Sequence, residues 1–309
     1  MTQPRIALPP ELRFRPFSVS EATEILGRNR LRGRDLAQPF WGVRAPAPGP
    51  ASVRDLARAR AARLGPHMFY SHVTAAQLWG IPLPWHLEIQ RTLDVAVPFG
   101  RAFPVGKGVR GHRLQIGQTD VVSLGGLAVT SLARTWCDLA AVLSDEALLA
   151  AGDFLLWRRR PYWLRLTADD LTAAIERFAG RRGLPLLHAI LPELTDRADS
   201  PPESFIRLRI VRSRLPAVSA NPEVRDEHGK FVGMPDLAFL EFRVALDYEG
   251  DGHRVDPVQW EKDIARQTRF EDAGWRYLRA GKADLHNTPE LLVKLERRLR
   301  SQGWAGPDA

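Results

Sequence analysis

A mixed α+β chain of more than one domain is predicted by three observations. The length is 309 residues, the composition is that of an ordinary globular protein, and helical and strand patterns alternate between two proline-rich linkers. Hydrophobic residues make up 44% and charged residues 26%, enough apolar surface to build cores. Lysine and arginine number 44 against 36 acids, a formal charge of +8. That balance favours polyanionic partners through counterion release, and the dominance of arginine suits phosphate. A genome that encodes arginine freely would give the same numbers. The single cysteine, Cys137, excludes an internal disulfide and a multi-cysteine zinc site, and its run SLARTWCDLAAVL places it in a core. No stretch approaches the ~20 apolar residues of a membrane span, and the N-terminus lacks the apolar region of a signal peptide. A cytoplasmic location without membrane attachment is the expectation.

The first element is a helix opening at Ser18, which forms an S-x-x-E capping box with Glu21. Ala22, Ile25 and Leu26 follow at helical spacing, and Gly27 supplies a stop. A second short basic helix is expected around Leu31 to Leu36, then a strand or wing at Phe40-Trp41-Gly42-Val43. Residues 1–46 therefore read as a helix-turn-helix or winged-helix unit, with Arg28, Arg30 and Arg32 as nucleic-acid contacts. Any amphipathic helical pair would show the same pattern.

A linker, Ala45 to Ser52, leads into a mixed α+β region over 53–194. Helices are expected at Val53 to Leu64 and in SHVTAAQLWG, then strands at LDVAVP, GVRGHRLQ and VVSLGGLAVT. Helices follow in SLARTWCDLAAVL, DEALLAAGDFLLWRRR and TADDLTAAIERFAG. His72 belongs to no metal-ligand or catalytic spacing and reads as a structural or capping residue.

A second linker, Thr195 to Glu203, opens the third region, 200–309. Ser200-Pro201-Pro202-Glu203 starts a helix whose apolar face is Phe205, Leu208, Val211 and Leu215. Two strands around a turn at Gly229 follow (NPEVRD and FVGMPDLAFL), then a third, RVALDYEGD. A helix begins at Asp256-Pro257 and ends near Gly274; the strand WRYLRA and the helix PELLVKLERRLRSQG close the order.

Acids stand out in these strands. Asp236 follows Pro235 inside an apolar run, and Asp247 and Glu249 lie two apart, hence on one face of the next strand. If the two strands pair, three carboxylates converge, and their mutual repulsion favours a divalent cation. Oxygen ligands select Mg²⁺ or Mn²⁺. A bound cation would acidify a water and stabilise charge growing on a phosphodiester. His253 would assist proton transfer, and Glu203 is a further candidate from the preceding helix. Taken singly, each has a plain reading: Asp236 a turn residue, Asp247 and Glu249 a solvated face, Glu203 half of a capping box, His253 a loop residue.

The segments PES, MPDLAFLEFRVALDYEGDGH and KDIARQTRFEDAGWRYLRA resemble the PD-(D/E)xK nuclease superfamily, and more closely its very-short-patch-repair-like branch. That branch carries an Asp ending one strand, an I-E-x-D-G segment with a His after it, and a D-x-x-R helix before a Gly and an apolar strand. Asp236 matches the first, Asp247 to Gly250 the second with its acids exchanged, and His253 the His. Asp263 and Arg266 match the helix, and Gly274 with Trp275 to Arg279 match the rest. The general motif's lysine is absent, and Glu249 stands there. The resemblance implies a restriction-endonuclease-like α/β domain with Asp236, Asp247 and Glu249 as metal ligands. Arg266 is expected to contact phosphate or to buttress Asp263. SHVTAAQLWGI and LAVTSLARTWCDLA are similar to AbiEi-type antitoxins, which implies a winged helix at the front. The expected function is a metal-dependent DNA endonuclease; the alternative is a non-catalytic DNA-binding regulator or type IV antitoxin-like protein with a degenerate nuclease fold. A toxin partner and the oligomeric state are left open.

Overall fold

The computed structural model describes residues 6–178, 182–250 and 257–307, with side chains described throughout except at 257–262. It is a mixed α+β protein with four sheets and thirteen α-helices among the described residues. Two compact units divide the chain: Met1–Val142 with Ala173–Leu184, and Leu143–Thr172 with Pro185–Ala309. Neither border coincides with the linkers at 45–52 and 195–203.

The first unit begins with α1 (Pro10–Arg13), β1 (Phe17–Ser18) and α2 (Val19–Arg30). Ser18 Oγ accepts the Glu21 N–H at 3.0 Å, the expected cap, while the Glu21 carboxylate turns to Arg15. Gly27, at φ 74°, breaks the helical path as expected, but helical turns resume as far as Arg30. The second helix expected at Leu31 to Leu36 does not form. Leu31 caps α2, and Leu36 enters a strand, β2 (Leu36–Ala37). The turn between them lets Arg30 grip Asp35, and a side chain at Gly33 would strike both partners. Residues 38–42 are a turn, and only at Val43 does β3 (Val43–Pro46) begin. The sheet order β1-β3-β2 is antiparallel throughout.

The unit continues with α3 (Val53–Ala61), capped by a reciprocal Ser52–Asp55 box, then β4 (Phe69–Tyr70), α4 (His72–Trp79) and α5 (Trp85–Glu88). Next are β5 (Leu93–Pro98), β6 (Val109–Leu114), β7 (Val121–Leu124), β8 (Leu127–Thr130) and α6 (Leu132–Leu139). The five strands form one sheet in the order β6-β5-β4-β8-β7. Five of the six residues of β5 are buried, as the run LDVAVP requires of an inner strand. Phe40 and Val43 share one core with Leu56, Tyr70, Val95 and Val129, so the first 46 residues are built into the same unit as the five-stranded sheet. Cys137 is fully buried, as expected.

The second unit starts earlier than the sequence suggests, with α7 (Asp145–Leu156). In chain order α8 (Ala168–Arg177), which crosses from the second unit into the first at Ala173, is followed by α9 (Leu184–Ile190) and α10 (Pro201–Val211). Charge pairing draws α7 into the second unit. Its Glu146 takes both Arg209 nitrogens at 2.6 and 2.8 Å, and its buried Asp153 accepts from Ser204 at 2.8 Å. The strands are β9 (Ser219–Ala220), β10 (Val224–Arg225), β11 (Phe231–Gly233), β12 (Leu237–Phe239) and β13 (Val244–Glu249). Next are α11 (Pro257–Asp272), β14 (Arg276–Gly281), α12 (Lys282–His286) and α13 (Thr288–Ser301). FVGMPDLAFL does not run as one strand. Pro235 has no N–H for a ladder, so the segment splits into β11, paired with β10, and β12, in the main sheet.

The main sheet has the order β14-β13-β12-β9, with β13 and β14 parallel and the other neighbours antiparallel. Leu237, Phe239, Val244, Leu246 and Leu278 pack on one face with Ile206 and Ile210 of α10 and Leu291, Leu295 and Leu299 of α13. Ala238, Ala245 and Tyr277 pack on the other with Phe270 of α11. Helices thus cover both faces, and the acids stand where the second face ends.

Candidate functional site

Leu237 pairs with Leu246, so the next positions outward, Asp236 and Asp247, face one another at the end of the β12–β13 ladder. Two hydrogen bonds seal the end. The Asp236 N–H donates to Asp247 Oδ1 at 2.8 Å, and the Tyr248 N–H donates to Asp236 Oδ2 at 2.7 Å. Asp247 Oδ2 accepts from Arg266 Nε at 2.7 Å and from the Tyr277 hydroxyl. Arg266 also donates to the Met234 carbonyl. Glu249, two residues on, pairs with Arg279 Nε at 2.6 Å, and Arg279 Nη2 lies 3.3 Å from Asp263.

Asp236 forms no ion pair among the described residues. Burial, then the neighbouring Asp247 and Glu203 charges, push its carboxyl up to about 8 against the pull of Arg266 and the Tyr248 N–H. Its Oδ1 has no hydrogen-bond partner among the described residues. Glu203, itself held above its ordinary range by burial, borders this site but is anchored. Its Oε2 accepts from the Asp199 N–H at 2.9 Å and from Asn221 Nδ2 at 2.8 Å. Asn221 then donates its backbone N–H to the Asp236 carbonyl at 2.9 Å. It does so from φ 43°, a conformation that Asn adopts more readily than most residues.

Of the expected site residues, the structure brings Asp236 and Asp247 together, with Glu203 as a neighbour. Glu249 shares their face but is committed to Arg279. Three carboxylates do not close around one point: among the described residues no group of three or more His, Cys, Asp and Glu side chains is placed to hold a metal ion. The Asp236–Asp247 pair still suits a hard cation such as Mg²⁺, which keeps several waters and needs one or two protein carboxylates. His253 lies outside the described residues. Arg266 does not point outward to phosphate but holds Asp247, and it is Arg279 that reaches Asp263.

Tyr277, Arg279, Asn221 and Asp199 were not singled out from sequence. Tyr277 and Arg279 alternate on β14, whose parallel register sets them beside Ala245 and Asp247, so strand parity was the available signal.

In the first unit, Arg28 and Arg32 are exposed. They line a cleft of about 560 Å³ with Trp41, Arg44 and Arg63, and the Arg63 guanidinium lies 5.0 Å from the Trp41 ring centre. Arg30 does not join them. It is buried in a two-pronged pair with Asp35, at 3.1 and 2.7 Å, and donates to the Ile6 carbonyl at 2.5 Å, which makes it a brace of the turn.

No family model and no solved structure matches the chain. It is similar to two uncharacterized proteins of Mycobacterium tuberculosis, from strains CDC 1551 and H37Rv, each 26% identical over 184 residues. The matched stretch is 59% of this chain and 66% of each relative, just under two thirds of their length. Among the described residues, no helix is long and apolar enough to cross a membrane.

Proposed function

We propose that the chain is a metal-dependent DNA endonuclease whose reaction centre is the Asp236–Asp247 pair. The observation that carries this reading is Asp236, a half-buried carboxyl raised to about 8 that faces a second carboxylate and leaves one oxygen open. A strand end that accumulates negative charge in this way favours a cation. Asp236 and Asp247 would hold Mg²⁺ or Mn²⁺, which when bound acidifies a water and offsets charge on the scissile phosphodiester. The Tyr248 N–H and the Asn221 bond orient Asp236, while Arg266 and Tyr277 hold Asp247 in place. His253 remains the proton-transfer candidate by its sequence match. The mixed sheet with helices on both faces supports a restriction-endonuclease-like reading of the second unit, as the PD-(D/E)xK resemblance implies. The β1-β3-β2 sheet beside α2 likewise supports a winged-helix reading of residues 1–46, with Arg28 and Arg32 facing DNA.

A non-catalytic DNA-binding regulator is the second reading, favoured by one observation: Asp247 and Glu249 already have the arginine partners Arg266 and Arg279. Cleavage of supercoiled plasmid with Mg²⁺, Mn²⁺ or EDTA separates the two. The nuclease requires metal-dependent nicking that Asp236→Asn abolishes. Retained DNA binding with no nicking in any metal would transfer the assignment to the regulator.

A further inference from the structure

The second unit also carries a basic loop with two large aromatic side chains exposed to solvent. Between α7 and α8 the chain reads WRRRPYWLRLT from Trp157 to Thr167, with four arginines and no acid. Tyr162 and Trp163 stand 79% and 70% exposed, edge to face with ring centres 5.0 Å apart. Aromatic side chains and arginine are the residues enriched at binding surfaces, and here two rings stand side by side in water within an arginine-rich loop. The loop is also braced. Leu164 and Arg165 N–H groups donate to the Pro161 carbonyl at 2.9 and 3.1 Å, and Arg158 N–H to the Asp196 carbonyl at 2.9 Å. Arg160 is buried against the Phe154 ring at 4.3 Å. A surface fixed before binding loses little freedom when a ligand arrives.

Its anchorage leads to the acids. Trp157 Nε1 donates to Asp199 Oδ1 at 2.8 Å, and Arg159 pairs with Asp199 Oδ2 at 2.6 Å. The Asp199 N–H donates to Glu203, whose charge acts on Asp236. The loop that carries the two exposed rings and Arg158, Arg159 and Arg165 is thus tied, through Trp157 and Arg159, to the Asp199–Glu203 pair whose charge acts on Asp236.

We propose that this loop is a stacking platform for unpaired nucleotides, so that the strand presented to Asp236 and Asp247 is single-stranded or locally opened; the inference rests on the nuclease reading for what happens to that strand. Bases offer a flat face whatever their identity, and arginines neutralise the phosphates between them. A fully paired duplex hides those faces and gains only the phosphate term.

The test is binding of a fluorescent oligothymidylate and of a blunt hairpin duplex to full-length Asp236→Asn protein, with and without Y162A/W163A. Loss of single-strand affinity by about ten- to a hundredfold is expected, with duplex affinity nearly unchanged. Trp163→Phe, which keeps a ring, should recover most of it. Unchanged single-strand binding in the double variant overturns the platform, as does absence of single-strand binding by the parent or an equal fall on duplex. Cleavage of the same oligonucleotide by the unsubstituted chain is read separately. Gripping through Trp163 without metal-dependent cutting retains the platform and removes the nuclease.

Discussion

In the first unit, Asp94 lies on β5 with no exposed surface, and basic or amide groups converge on it. His112 Nε2 is 2.9 Å away, Arg110 3.5 Å and Gln90 Nε2 3.4 Å, while Thr74 takes its backbone N–H at 2.7 Å. His72 stacks on His112 with ring centres 4.0 Å apart, and Ser71 Oγ lies 2.9 Å from its Nδ1. Below them the buried Arg134 bonds Asp138 at 2.9 Å, Asp120 at 3.3 Å and the Gln115 carbonyl at 2.7 Å. In the second unit, Asp236 stands just before a buried strand, but the acids Asp247 and Glu203 act on it more strongly than the cation Arg266 does. Both places are acids among apolar strands. One set is closed by internal ion pairs, whereas the other includes a carboxyl, Asp236, with no ion-pair partner among the described residues. The countercharge, not the acid, is what differs between the two places, and the nuclease reading rests on that difference.

Asp236→Asn gives the largest expected difference between the two. It keeps the shape and the acceptor for the Tyr248 N–H but removes the negative oxygen, so metal-dependent cleavage should fall by at least about a hundredfold with the fold intact. Asp94→Asn, its counterpart in the first unit, should leave the cleavage rate per folded molecule unchanged. Equal losses from both would mean that the two clusters are not separate in function.

Next in size is Arg134→Ala, which strands Asp120 and Asp138 in the interior. A broken buried pair costs about 3–5 kcal/mol, read as a lower urea midpoint for the first unit. Asp138 is already pushed up to about 6 by burial, with Arg134 pulling it down, so the variant should be least damaged in acid. Arg266→Ala should cost less, because Asp247 retains Tyr277 and the Asp236 N–H, but it should change metal affinity.

The acids themselves were legible in the sequence, because a period of two puts Asp247 and Glu249 on one face and Asp236 interrupts an otherwise apolar run, although the break at Pro235 was not read from it. Their partners were not. Arg266 lies 19 residues and Tyr277 30 residues from Asp247, and parallel pairing of β13 with β14 is set by the crossover through α11 rather than by any local pattern. Arg30 misled for a related reason. In a basic run it reads as one more surface cation, and only the turn at Gly33 lets Asp35 bury it. The border of the units was hidden too. The acidic first turn of α7 reads as a good helix start, while its pairing with Arg209 and Arg212 spans more than 60 residues.

Opposite dependence on pH gives the smallest but most direct contrast. His72 is forced down to about 3, chiefly by burial and then by His112, Arg134 and Arg110. Its unfolded value is near 6.5, so the first unit keeps this contribution above pH ~6.5 and loses it as pH falls toward 3. Asp236 is raised to about 8 from 3.8, so without metal its contribution is complete below pH ~4 and is lost as pH rises toward 8. Amide exchange should therefore show β5 and β6 weakening in acid while β12 and β13 weaken toward pH 8. Asp236→Asn should flatten only the second trend, raising protection at pH 8.5, and Mg²⁺ should do the same for the unsubstituted chain. If Mg²⁺ protects the Asn variant equally, the cation binds elsewhere and the open carboxyl is not its seat.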